Sequence, residues 1–274
     1  MNKLILRNIE NPVVMAILNA TPDSFFSSSR CQNESVFRNR VVEILEQGAT
    51  IIDVGGYSTR AGADYVETEE EIRRVSQAVK IIREVSDSVA ISIDTFRSEV
   101  ISVLVDRFGQ MIVNDISAGE ADCDMLKVVA HNKLPYIAMH MRGNPQTMQS
   151  MCQYDNVVDE VCEYFEKKIE QLEQLGISDY AIDPGFGFSK TLEQNYELLG
   201  GVAKLTKLGA PVLVGVSRKS MIYKALDTTA EQSLAGTVAL GWEALRQGAK
   251  ILRVHDVKEA VDTVRLWNFY QNNR

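Results

Sequence analysis

Gln47-Gly48-Ala49-Thr50-Ile51-Ile52-Asp53-Val54-Gly55-Gly56 is the stretch that decides the fold. It reads as the close of an amphipathic helix, a glycine suited to the left-handed residue just beyond a helix end, a short apolar strand, and a turn into a polar loop. Upstream, Glu34–Gln47 places Val36, Phe37, Val41, Ile44 and Leu45 at helical spacing. The same phrase recurs at Leu175-Gly176-Ile177, Leu208-Gly209-Ala210 and Gln247-Gly248-Ala249. A helix, a glycine and a strand, repeated, is the rhythm of a β/α protein.

Working outward, eight short apolar runs emerge: Val13–Leu18, Thr50–Val54, Val89–Ile93, Met111–Val113, Leu134–Met139, Tyr180–Ile182, Pro211–Val214 and Lys250–Val254. They are rich in Val and Ile and several lack polar alternation, as strands buried on both faces do. Helical patterns separate them at Glu34–Gln47, Glu69–Val85, Arg97–Arg107, Asp124–His131, Asp155–Leu175, Thr191–Lys207, Glu231–Gln247 and Val257–Asn273. Such alternation admits a closed barrel or an open doubly wound sheet. The count of eight, with no composition break along 274 residues, selects a single-domain (β/α)8 TIM barrel. Its core would span residues 13–257, with a C-terminal helix over 257–273.

Composition narrows the class of function. Hydrophobic residues make up 45% and charged ones 24%, an ordinary globular balance. No apolar run reaches the roughly 18 residues of a membrane span, and the N-terminus lacks a signal-peptide core. The four cysteines, Cys31, Cys123, Cys152 and Cys162, are scattered rather than paired. Together these point to a cytoplasmic protein with no disulfide framework and no membrane partner. A net charge of −8 argues against a nucleic-acid partner, yet a few cations gathered at one site can still attract an anionic small molecule.

In a β/α barrel the chemistry belongs at the C-terminal strand ends. The runs lead in turn to Asn19, to Asp53 with Thr59 and Arg60, to Asp94, to Asn114, to Met139 and His140, to Asp183 and Phe188, to Gly215 with Ser217-Arg218-Lys219-Ser220, and to Arg253 and His255. One polar strand end is ordinary, since such residues cap helices and make turns. Asp53 reads equally well as a structural partner of Arg60, and His140 as a satisfied core histidine. All eight together make a built site. Asp94, Asn114 and Asp183 supply acceptors and an amide donor for a flat heterocycle bearing N–H groups. Arg253 could stack on that ring and face an anion. Arg60, Arg253 and His255 could hold phosphate oxygens, as could the backbone amides of Ser217–Ser220. Asn19 could ligate a hard cation through its amide oxygen. There is no P-loop, and Gly185-Phe186-Gly187 is too short for a dinucleotide fingerprint.

Quoted as blocks, Leu18-Asn19-Ala20-Thr21-Pro22-Asp23-Ser24-Phe25, Asp53-Val54-Gly55-Gly56-Tyr57-Ser58-Thr59-Arg60, Ser92-Ile93-Asp94-Thr95, Asn114-Asp115-Ile116, Met139-His140-Met141-Arg142-Gly143-Asn144-Pro145, Asp183-Pro184-Gly185-Phe186-Gly187-Phe188, Ser217-Arg218-Lys219-Ser220 and Arg253-Val254-His255-Asp256 resemble the signature blocks of dihydropteroate synthases. They occur in that family's order over nearly the whole chain. The resemblance implies a transferase of folate biosynthesis that joins 6-hydroxymethyl-7,8-dihydropterin diphosphate to 4-aminobenzoate. It also implies Mg2+, a homodimer, and sulfonamides as competitive inhibitors. By carry-over, Asp94, Asn114, Met139, Asp183, Gly215, Lys219 and Arg253 would bind the pterin. Asn19, Arg60, Arg253 and His255 would face the diphosphate, with the metal at Asn19. Phe25, Thr59, Arg60, Phe188, Lys219 and Ser220 would shape the aminobenzoate pocket. Asp94, Asp183, Lys219, Arg253 and His255 would carry the catalysis. Pterin-dependent methyltransferases and non-catalytic pterin-binding paralogues are the competing readings; Ser217–Ser220 and the Arg253/His255 pair favour the synthase.

Three places depart from the family's pattern. Ala61 stands where the second loop usually has proline, giving up a fixed φ. The first loop reads Phe25-Phe26-Ser27-Ser28-Ser29-Arg30 in place of a glycine-rich run, and Ser189 replaces a glycine before Lys190.

Overall fold

The computed structural model describes residues 4–20, 30–57 and 65–274. Eight parallel strands form its centre: β1 (Val13–Asn19), β2 (Ile51–Gly55), β3 (Ala90–Asp94), β4 (Ile112–Asp115), β5 (Tyr136–Met139), β6 (Tyr180–Asp183), β7 (Leu213–Val214) and β8 (Ile251–Val254). Neighbours pair in the order β6-β5-β4-β3-β2-β1-β8-β7. The ring closes between β6 and β7, where Ile182 bridges Val212 and the Ile182 amide donates to the Pro211 carbonyl at 3.0 Å. The expected TIM barrel is therefore the observed fold.

Around it lie α1 (Arg30–Glu46), α2 (Thr68–Val85), α3 (Ser98–Phe108), α4 (Met125–Asn132), α5 (Val157–Gln174), α6 (Leu192–Gly200), α7 (Val202–Leu205), α8 (Ser220–Ala225), α9 (Leu234–Arg246) and α10 (Val257–Asn272). The glycines read as helix stops adopt positive φ: +96° at Gly48, +76° at Gly176, +77° at Gly209 and +98° at Gly248. The single helix expected over Thr191–Lys207 is instead broken. It opens on a capping box between Thr191 and Gln194, ends at Gly200, and resumes as α7 and a 3-10 turn at Thr206–Leu208. The break falls at Gly200-Gly201, two residues of low helix propensity, and a side chain at Gly201 would clash, since a Cβ there would lie 2.5 Å from a Val158 methyl of α5. The short α8, rooted directly after Lys219, has no counterpart in the hydrophobic periodicity.

Strand pairing sorts every side chain by parity. The register aligns Met15 with Ile51, Ile17 with Asp53 and Asn19 with Gly55, then Gly55 with Asp94 and Asp94 with Asn114. Val14, Ala16, Leu18, Ile52, Val54, Ile93 and Val113 point outward into the main core shared with the helices. The opposite parity points into the barrel. Its lower layer is apolar: Met15, Ile51, Ile112, Ile137, Ala181, Leu213 and Ile251 pack together, and Leu6 from the 3-10 turn Leu6–Asn8 plugs that end. Polar inward residues are thereby confined to the other end. Leu213 sits fully buried on the two-residue closing strand. Leu213→Ala should cost about 2–5 kcal/mol, read as a lower denaturant midpoint at unchanged slope.

Candidate active site

One row of the register, Asn19–Gly55–Asp94–Asn114, crosses four strands at the mouth of the barrel. Gly55 sits between Asn19 and Asp94, and a Cβ there would be in ordinary contact with both, 3.7 Å from Asn19 Oδ1 and 3.8 Å from Asp94 Oδ2. Arg253 rises from β8 and crosses the interior. Its Nε donates to Asp53 Oδ2 at 2.6 Å and its Nη2 to Asp94 Oδ2 at 2.7 Å. Asn114 Nδ2 donates to the same Asp53 oxygen at 3.1 Å. Asp53 is fully buried. Among the described residues its Oδ1, Asp94 Oδ1 and Ser92 Oγ are buried without a partner, and such atoms in a native interior call for an explanation.

Burial dominates the electrostatics. It pushes the Asp94 carboxyl up to about 7, against the pull of Arg253. Burial alone would depress Arg253, but Asp53 and Asp94 outweigh it and its pKa is raised. Asp183 is likewise pushed up by burial and held back by Lys219, while burial lowers Lys219 to about 8 despite Asp183.

The loop after β6 is the second part of the site. Asp183 Oδ1 accepts the Gly185 amide at 2.8 Å. Gly185 has φ +74°, and a Cβ there would meet the His140 carbonyl at 2.0 Å, so no other residue fits. Two lysines read the loop's carbonyls. Lys219, at the start of α8, donates to Phe186 O, with its ammonium 4.6 Å from the centre of the Phe188 ring. Lys190, buried behind the loop, donates to Gly185 O at 3.2 Å and Phe188 O at 3.0 Å, and lies 3.0 Å from His140 Nδ1. His140 packs edge-on against Tyr164, and burial drives its pKa down to about 2. It is the satisfied core histidine, serving here as an acceptor.

The loops after β7 and β8 are cross-linked. Ser217 Oγ accepts the His255 amide at 3.1 Å and lies 3.0 Å from His255 Nδ1. Arg218, with φ +55°, forks onto Asp256 at 2.8 and 2.7 Å. Its third nitrogen donates to Ala230 O and Glu231 O. These bonds fix the backbone that presents Lys219 and Ser220, the first residue of α8.

With this geometry in place, likeness to known proteins becomes specific. The family model described as "Pterin binding enzyme" matches residues 15–255. The dihydropteroate synthase of Escherichia coli (strain K12) is 44% identical over 262 residues, covering 94% of this chain and 92% of that protein. The chain belongs to the dihydropteroate synthase family. Solved structures agree. The Xanthomonas albilineans dihydropteroate synthase with 4-aminobenzoic acid superposes with a TM-score of 0.88 at 36% identity, over 96% of this chain and 94% of that one. The Yersinia pestis dihydropteroate synthase in a sulfonamide drug complex gives 0.88 at 36% identity, over 97% and 96%. As a member of the family the protein is a transferase of folate biosynthesis.

Against the dihydropteroate synthase expectations, Asp94, Asn114, Met139, Asp183, Gly215, Lys219, Arg253 and His255 all lie at the barrel mouth or in the loops that frame it. Met139 belongs to a small apolar cluster with Ile116, Met141 and Met148, against which Phe188 packs. Phe25, Thr59, Arg60 and Ala61 lie outside the described residues. Arg253, expected to stack on a ring, is here paired with two carboxylates. Asp53, read as a possible partner of Arg60, has Arg253 and Asn114 as its described partners. Strand parity could have found this, because Asp53 precedes Gly55 by two and faces the same way. Lys190 has no comparable sequence signal, since its partners are main-chain atoms of the loop and a ring from another strand. Replacing Lys190 by Met would take from the Phe188 carbonyl and the His140 imidazole nitrogen the donor that Lys190 supplies, while the Gly185 carbonyl keeps the Phe188 amide. A loss of about 2–5 kcal/mol, or roughly 5–12 °C in Tm, is expected by calorimetry.

Proposed function

We propose that this enzyme condenses 6-hydroxymethyl-7,8-dihydropterin diphosphate with 4-aminobenzoate to give 7,8-dihydropteroate and diphosphate. The observation that carries the reading is the acceptor set of Asp94, with one buried oxygen unpartnered among the described residues, and the buried Asn114 and Asp183, beside the cations Arg253 and Lys219 and the imidazole of His255. A pterin presents a guanidine-like edge of N–H donors that suits those acceptors. In this reading Arg253 and His255 face the phosphate chain attached to that ring.

The chemistry follows from the substrates. An arylamine is a weak nucleophile, so the C–O bond to diphosphate breaks ahead of attack and its electron pair leaves with the phosphate. Asp94 and Asp183 favour the positive charge left on the pterin methylene, while Arg253 and His255 stabilise the departing negative charge. The amine nitrogen then forms the C–N bond and sheds its proton. No protein nucleophile is required. Phe188 and Lys219 offer an aromatic face and a cation for 4-aminobenzoate, with Ser220 near its carboxylate. Phe25, Thr59 and Arg60 complete this pocket in the proposal.

Asn19 offers one amide oxygen. Among the described residues the one grouping of three Asp, Glu, His or Cys ligand atoms is Asp122, Cys123 and Asp124, which does not include it. A lone oxygen suits Mg2+, which keeps several waters and takes phosphate oxygens. Asn19 would thus hold an ion shared with the diphosphate, and that ion would supply neutralisation of the leaving charge. Sulfonamides would compete with 4-aminobenzoate, as the drug complex of the Yersinia pestis relative suggests. The same reading has the enzyme act in the cytoplasm as a homodimer. Among the described residues no helix is long and apolar enough to cross a membrane. Leu266, Phe269 and Tyr270 on α10 are 64%, 70% and 50% exposed, an apolar face suited to a second subunit.

Purified protein given the pterin diphosphate, 4-aminobenzoate and Mg2+ should release diphosphate and form dihydropteroate in equal amounts. Tight pterin binding without turnover would identify a non-catalytic pterin-binding protein instead. Lys219→Ala should lose turnover far more than thermal stability; a large fall in Tm at unchanged turnover would remove Lys219 from the site. The pH profile of kcat/KM should be bell-shaped. Its acid limb lies near 7, where Asp94 must ionise to accept N–H donors, and its basic limb near 8, where Lys219 loses its charge. Lys219→Arg should move the basic limb out of range.

A further inference from the structure

Arg253 holds Asp94 in an incomplete way. A guanidinium can offer a carboxylate two parallel N–H bonds, but Nη2 reaches Oδ2 alone, and Asp94 Oδ1 is buried without a partner among the described residues. The reason is geometric. Nε is already committed to Asp53 Oδ2 at 2.6 Å, from a carboxylate that is fully buried and further fixed by Asn114. The two contacts are of nearly equal length, 2.6 and 2.7 Å, but only the Asp53 carboxylate is both fully buried and fixed by a second donor, Asn114. The guanidinium and a pterin's 2-amino-4-oxo edge are chemically alike, each presenting paired N–H donors. Resting on the Asp94 rim, the guanidinium stands in for the ring that the proposed function assigns to that carboxylate. An entering ring edge can engage both Asp94 oxygens, whereas Nη2 engages one. Exchange of one for the other thus gains a hydrogen bond at the orphaned atom.

We propose that Asp53 is a positioning residue for Arg253: it keeps Nε while Nη2 yields Asp94 to the pterin edge, so the ring's arrival turns the guanidinium onto the ring face and toward the diphosphate. Asp53 acts through Arg253 and does not touch the substrate. The inference rests on the pterin reading of Asp94, and its test separates the two.

Wild type, Asp53→Ala and Asp53→Asn are titrated calorimetrically with 6-hydroxymethylpterin and with its diphosphate ester. Asp53→Ala should bind the bare pterin within about threefold of wild type yet lose about tenfold or more on the diphosphate ester, the range expected for one charge-assisted hydrogen bond. Its KM for 4-aminobenzoate should stay unchanged while kcat falls. Asp53→Asn keeps an acceptor for Nε and should recover most of the loss. Equal loss of both ligands would place Asp53 in the ring pocket itself, and wild-type affinity for both would deny it any role; either result overturns the proposal. Asp94→Asn is the control for the underlying reading: unchanged binding of the bare pterin there would sink that reading instead. Should Asp53→Ala fail to fold, 15N NMR of the wild-type arginine side chains decides. The Arg253 Nε–H signal, assigned by its loss in Arg253→Lys, should persist when bare pterin is added while the Nη signals shift. Disappearance of the Nε signal would refute the tether.

Discussion

Everything at the mouth of this barrel depends on the two-residue period of a parallel strand inside a closed ring. With eight strands in one cylinder, alternate residues have only two destinations, the helical layer or the barrel interior. The outward set is almost wholly Val, Ile, Leu and Ala and supplies the main core. The inward set cannot be polar throughout, because a sealed interior offers no water to solvate it. The apolar layer around Met15, Ile51, Ile137 and Ile251, stoppered by Leu6, closes one end. Asp53, Asp94, Asn114, Asp183 and Arg253 therefore collect at the other.

Collecting charges there is costly, and the site shows how the cost is met. Burial raises Asp94 and Asp183 and lowers Lys219. Each shift is opposed by a partner of opposite charge, so the groups persist as an interdependent set rather than as isolated ions. The set is left partly unsatisfied, with buried oxygens on Asp53 and Asp94 lacking donors among the described residues. Such atoms weaken the empty protein and reward a ligand that supplies donors in the right plane. The surrounding loops hold the arrangement in place beforehand: Lys190 and Lys219 grip the main chain after β6, and Arg218 with Ser217 ties the β7 loop to the β8 loop. Fixed donors and acceptors need little reorganisation when charge develops, which is the main source of electrostatic catalysis.

The eight strands were legible because apolar runs, glycine stops and helical periodicity agree with one another along the chain, and each is a local signal. The site positions were legible for a related reason: in this fold a strand end is a location in space, so polar residues of inward parity at the strand ends, such as Asp94, Asn114 and Asp183, are brought to one mouth, while His140 turns into the core. Where a single local signal was asked to settle a packing question, the reading failed. Thr191–Lys207 has one continuous hydrophobic pattern, yet the helix is interrupted at Gly200-Gly201, where Val158 packs too close for any side chain at position 201.

Sequence alone thus determined the barrel, its polarity from one end to the other, and the identity of the residues at its mouth, because strand period and strand order are properties of the chain itself. Tertiary structure alone decided who pairs with whom. Asp53 meets Arg253 across 200 residues of chain, and Lys190 meets His140 across 50. Nothing local records those distances. They follow from the stagger of strands around a closed ring, which brings β8 beside β1 and lets one long arginine reach the carboxylates of β2 and β3.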